Sequence, residues 1–123
     1  MNIYFLIAAL TSCGTCLLHI FLGGKFAAKP LLHNQDLNQV AKYTNYYCWH
    51  LVTITIAAMA LAFAMAAQSG GSKDLALFAT LLSALFCLWN LIMIFSFKLN
   101  KKHFPQWLLF LPGAFFGTLG LMN

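Results

Sequence analysis

The sequence predicts an all-α fold, an integral-membrane up-down bundle of four helices, and three observations carry that prediction. Of the 123 residues, 62% are hydrophobic and only 7% are charged, where a soluble domain carries about 25% charged residues to wet its surface. The apolar residues gather in four runs, each near the ~20 residues that cross a ~30 Å hydrocarbon core. Six of the seven lysines fall in the first and third of the three connecting loops, which lie on one side of such a chain. Lipid is therefore the main solvent. A lone strand in it would leave its backbone unpaired, so the runs are helices.

The first run covers residues 3–22 and closes at Gly23-Gly24. It lacks the basic stretch of a signal peptide, so it is read as a retained span. Leu10-Thr11-Ser12-Cys13 looks like a lipoprotein processing box, but without upstream charge it is read as coincidence. Residues 24–43 are expected to form one long cytoplasmic loop carrying Lys25, Lys29, Pro30, His33 and Lys42, with a short interfacial turn of helix over 36–43. The second run covers 44–67 and is broken by Gln68-Ser69-Gly70-Gly71-Ser72. The third covers 75–97 and is closed by Lys98-Leu99-Asn100-Lys101-Lys102. The fourth covers 104–121, with Pro105 in its first turn, where a missing N–H costs nothing. Residues 1–123 thus make a single transmembrane domain without an internal repeat. The positive-inside rule places both basic loops in the cytoplasm and both termini outside. Tyr43, Tyr46, Tyr47 and Trp107 lie at the same basic boundary, as an aromatic belt.

The charge inventory excludes several classes. Lys and Asp are present, but Arg and Glu are absent. A nucleic-acid binder would want Arg and a basic face with aromatics. Four-helix multidrug exporters couple protons through a Glu in the first helix, and the membrane glutathione and eicosanoid enzymes rely on Arg and Glu. No Walker loop, H-E-x-x-H or nucleophile elbow is present. No catalytic residue is assigned, and a non-enzymatic role is expected. Cys13, Cys16, Cys48 and Cys87 all sit within or beside apolar runs, as small hydrophobes rather than a disulfide framework. Cys13 and Cys16 have redox-motif spacing, but at mid-membrane a thiolate is disfavoured by desolvation. They are read as packing cysteines.

At 100° per residue each helix gathers small and polar side chains on one face. These are Ala8, Ser12, Thr15, Cys16, His19 and Gly23 on the first helix, and Tyr43, Tyr46, Tyr47, His50, Thr53, Ala57 and Ala64 on the second. On the third they are Ala76, Ala79, Ser83, Cys87 and Asn90, and on the fourth Gln106, Gly113, Gly117 and Gly120. Such faces let membrane helices approach closely. At 1.5 Å per residue His19 lies ~6 Å, His50 ~9 Å and Asn90 ~10 Å inside the cytoplasmic end, with Gln106 in the first turn of its helix. The strongest polar groups therefore share one layer, while the outer half has little beyond Ser and Thr. Polar groups at such depth are costly and mark functional sites by default.

His19-Ile20-Phe21-Leu22-Gly23-Gly24, Tyr46-Tyr47-Cys48-Trp49-His50 and Pro105-Gln106-Trp107 resemble small bacterial four-helix inner-membrane proteins of unassigned function. The resemblance implies a bacterial inner membrane and no mechanism. From the residues, the leading expectation is a binding or accessory protein. Its cytoplasm-facing pocket would be formed by His19, Tyr46, His50, Asn90, Gln106 and Trp107 and would hold a lipid-like or amphipathic molecule. Lys25, Lys42, Lys98, Lys101 and Lys102 would meet lipid headgroups above it. A second reading makes His19 and His50 ligands of a b-type haem, or of Cu or Zn together with Cys48. Lys25, Lys42 or Lys102 would then meet the haem propionates. A third makes the layer the glue of a structural subunit. The expected partners are membrane lipids, with a homodimer or larger membrane complex formed through a helix face.

Overall fold

A computed structural model describes all 123 residues, and they form an all-α four-helix bundle. Helix α1 is Ile3–Leu18, and it runs without a break into a π-helical stretch, His19–Ala28, and a short helix α2, Lys29–His33. Helices α3, Gln39–Ala67, α4, Lys73–Ser96, and α5, Gln106–Met122, follow. Around the bundle α1 packs on α3 and α5, and α4 packs on the same two. The rod Ile3–His33, α3 and α4 are long and apolar enough to cross a membrane, and α5 is apolar but shorter. This is a membrane protein.

The expected loop over 24–43 is corrected to a tight turn over 34–38. Gly23 and Gly24 do not end the first helix, because two glycines raise its cost by only about 1 kcal/mol each and no capping group competes there. The backbone shifts to π register instead, with the Lys29 N–H donating to the Gly24 carbonyl. Pro30 opens α2 but lies inside the continuous rod, so its missing N–H leaves a carbonyl of the preceding turn without its helical partner. The chain turns at Asn34, whose side-chain oxygen accepts from the Asp36 and Leu37 N–H groups at 2.8 and 3.3 Å. Asn38 then caps α3, accepting from the Ala41 N–H at 2.8 Å. α3 thus starts five residues before the expected position, 39 against 44. Its other end meets the expected break at Gln68, where Gly70 takes a φ of 76°.

Three of the four small-residue faces are buried over most of their length, while His19 and Gly23 of the first are half-buried and Gln106 of the fourth is exposed. Ala8, Ser12, Thr15 and Cys16 of α1 are buried, as are Ala76, Ala79, Ser83, Cys87 and Asn90 of α4. On α5 so are Gly113, Gly117 and Gly120. The face assigned to α3 is corrected. Tyr43, Tyr47, His50 and Ala57 are exposed, and α3 buries Ile56, Met59, Phe63, Ala66 and Ala67. The reason is volume. Three helices that present glycine, alanine and serine leave a space that large side chains must fill, since interiors close-pack.

The core lies toward the end of the bundle that holds both termini. Phe5, Ala8 and Ala9 meet Met59, Phe63, Ala66, Ala67, Ala76 and Ala79 there. The α5 glycines admit their neighbours directly. A side-chain carbon on Gly117 would overlap Thr80, one on Gly120 would overlap Phe5, and one on Gly113 would stand 2.7 Å from the Ser83 hydroxyl. That end also carries a polar pin beyond Ser and Thr. The Asn2 N–H donates to the Ala67 carbonyl and its amide to the Gly120 carbonyl, both at 2.9 Å. Its side-chain oxygen caps α1, accepting from the Tyr4 and Phe5 N–H groups. One residue thereby ties together α1, α3 and α5.

Candidate functional site

At the lysine-rich end the helices separate. A cavity of about 360 Å³ opens between the first rod, α3 and the start of α5, within the range of small-molecule sites, roughly 300–1,000 Å³. Leu18, Leu22, Val52, Ile56, Leu109 and Phe110 make its apolar wall, and Thr15, His19, Trp49 and Gln106 supply polar groups. The π-helical stretch forms one side, through His19, Gly23 and Ala27. Such stretches concentrate at functional sites.

The polar layer expected from helix rise is present, but it divides into two clusters. In the first, the His19 ring stacks on Trp49, with centroids 4.8 Å apart and planes 20° from parallel. His19 Nε2 lies 3.3 Å from the Trp49 carbonyl. A carbonyl only accepts, so this contact uses an Nε2–H, and in that tautomer of the uncharged ring Nδ1 keeps its lone pair. The Thr53 hydroxyl donates to the same carbonyl at 3.1 Å. Tyr46 and His50 continue the cluster behind Trp49, with the Tyr46 ring 6.3 Å from Trp49 and 4.6 Å from His50. The Trp49 indole N–H is buried and has no acceptor, a condition that costs about 1–3 kcal/mol.

The second cluster joins α4 to α5. The Asn90 amide donates to Gln106 Oε1 at 3.2 Å, and Asn90 Oδ1 accepts from the Trp107 N–H at 3.0 Å. Asn90 thus caps the start of α5, where Pro105 cannot. Gln106, Val52 and Phe110 line both the slot and a smaller crevice of about 180 Å³ that reaches Asn90. The Trp107 indole N–H is also buried without a partner.

Of the six residues expected to form the pocket, His19 and Gln106 line the slot. Tyr46 and His50 stand outside it, His50 exposed and edge-on to Trp49 with centroids 5.0 Å apart. Asn90 and Trp107 serve the joint between α4 and α5. His19 and His50 each contact the Trp49 ring rather than a common opening. Cys48 is exposed, and no three His, Cys or Asp side chains converge. None of the lysines lines the slot. Lys25, Lys98, Lys101 and Lys102 are exposed and Lys42 is half-buried. Lys25 sits 5.4 Å over the Phe26 ring and Lys101 4.9 Å over Phe95.

Trp49 is the central residue that sequence reasoning left out of the pocket. It stood in the Tyr46–His50 run as an aromatic between two more polar neighbours, and only its contact with His19 distinguishes it. Leu18 and Leu22 carried no signal, being two leucines among many in the first run, and Ala27 entered through the unexpected continuation of the helix. Comparison of the chain with protein-family models, with curated proteins and with solved structures gave no match.

Proposed function

We propose that this is a small ligand-binding or accessory protein of the bacterial inner membrane, with both termini outside and the slot toward the cytoplasmic side. The observation that carries the proposal is the slot itself: an apolar cavity of about 360 Å³ whose polar groups gather at the lysine-rich end. Pockets that combine apolar walls with a few convergent polar groups suit drug-sized ligands. An amphipathic or lipid-like molecule would place its apolar body against Leu22, Val52, Ile56 and Phe110. The exposed lysines at the rim of the bundle support headgroup contact and the inward-positive orientation.

The test is thermal stability of the purified protein in nanodiscs against a panel of lipids and quinones. Binding is expected to raise the unfolding temperature. Ala27→Trp, which places an indole on the exposed slot wall, is expected to abolish that rise while the unliganded protein stays folded. Failure of every member of the panel to shift the transition would discard the binding role.

A further inference from the structure

The slot contains no charged side chain, although seven lysines lie elsewhere in the chain. A carboxylate or phosphate held there would be desolvated without a counter-charge, which is strongly unfavourable. The hydrogen-bonding capacity left free in the slot points the same way. The Thr15 hydroxyl is used on the Leu109 carbonyl at 3.0 Å, and His19 Nε2 is used on the Trp49 carbonyl. Gln106 Oε1 is used by Asn90, while the Gln106 amide nitrogen makes no bond within the protein. Two donors therefore remain, the Trp49 indole N–H and the Gln106 amide, and His19 Nδ1 is an acceptor beside the spare lone pairs of the Thr15 and Gln106 oxygens.

Two of these meet at a notch. A side-chain carbon on Gly23 would stand 3.6 Å from Trp49 Nε1 and 3.7 Å from His19 Nδ1, so the missing side chain leaves a space bordered by a donor and an acceptor. The indole N–H itself is buried and without a partner. Gly23 and Gly24 both lie in the π-helical stretch, and seating an oxygen on the buried donor requires that turn to move outward.

We infer that the slot selects an uncharged ligand whose polar end is a carbonyl or hydroxyl oxygen, seated at the Gly23 notch. The oxygen accepts from the Trp49 indole, and a hydroxyl also donates to His19 Nδ1. This rests on the ligand-binding role proposed above and narrows its ligand class. Neutral glycerides and quinones both present that chemistry.

The experiment uses the full chain in phosphatidylcholine nanodiscs with ¹⁵N-labelled tryptophan. Dioctanoylglycerol and a short-chain ubiquinone are the neutral probes, and oleate and phosphatidylglycerol the anionic ones. The neutral probes are expected to bind and to move the Trp49 indole proton downfield, with its resonance assigned by its absence in Trp49→Phe. That variant is expected to bind about five-fold more weakly, the worth of one hydrogen bond. The tighter of the two neutral probes identifies the source. Should Trp49→Phe fail to fold, the indole shift in the unaltered protein decides alone, with assignment by selective broadening from a spin label at Cys48. Equal or tighter binding of the anionic probes overturns the inference and leaves the slot standing. So does neutral binding with an unmoved indole proton. Binding of no probe overturns both.

Discussion

The two ends of this bundle solve opposite packing problems with related residues. Near the termini, glycine brings backbones together: Gly117 and Gly120 of α5 lie against Thr80 and Phe5 with no room for a methyl group. Asn2 then ties three helices through hydrogen bonds. Toward the lysine-rich end glycine does the reverse. A side-chain carbon on Gly23 would stand 3.6 Å or more from anything it meets, and the helices there enclose a slot. A small residue is therefore no guide to close packing by itself. What matters is whether the facing helix supplies a large group, as Phe5 and Phe63 do, or a space.

That contrast is open to direct attack, and the strongest blow falls at the tight end. Gly117→Ala is expected to destabilise the protein by about 1–3 kcal/mol, because a methyl group overlaps Thr80 and no neighbour yields cheaply. Chemical unfolding in mixed micelles would measure it. A neutral result would mean that α5 is not held against α4 by these glycines. Next comes the pin. Asn2→Ala removes the cap of α1 and the bond to Gly120, for a loss of about 1–2 kcal/mol by the same assay.

At the slot end the costs are smaller. Asn90→Leu should cost about 1 kcal/mol, since interhelical polar bonds in membranes are individually weak. Its distinguishing sign is faster hydrogen exchange at the Trp107 N–H, which loses its acceptor. The smallest effect also has the opposite direction. Gly23→Ala is expected to stabilise by about 0.5 kcal/mol, because its methyl group finds ordinary contact distance and the unfolded chain loses freedom. It should at the same time weaken ligand binding by filling the notch. Loss of stability on Gly23→Ala would show the two ends to be alike and end the comparison.

Much of this was legible in the chain before folding. The buried faces of α1, α4 and α5 follow from small and polar residues at helical spacing, and the common depth of His19, Asn90 and Gln106 follows from helix rise. α3 misled because its polar residues were read as interior, whereas Tyr43, Tyr47 and His50 are exposed. Polarity marks a buried face only when the neighbours leave room for nothing larger, and here they required Ile56, Met59 and Phe63. Gly23-Gly24 misled for a different reason. Glycine lowers helix stability without ending a helix, and the true stop is Asn34, whose side chain satisfies the N–H groups beyond it.

What the sequence determined by itself was set by distance along the chain: the helices, their membrane setting, and the depth at which polar groups lie. Each depends on spacing and hydrophobicity, which need no partner. Only the tertiary structure decided that Trp49 and not His50 meets His19, that α3 turns its large side chains inward, and that the polar layer splits around a slot. Those outcomes depend on how each helix rotates about its axis, and rotation is fixed by the volumes that neighbouring helices present to one another.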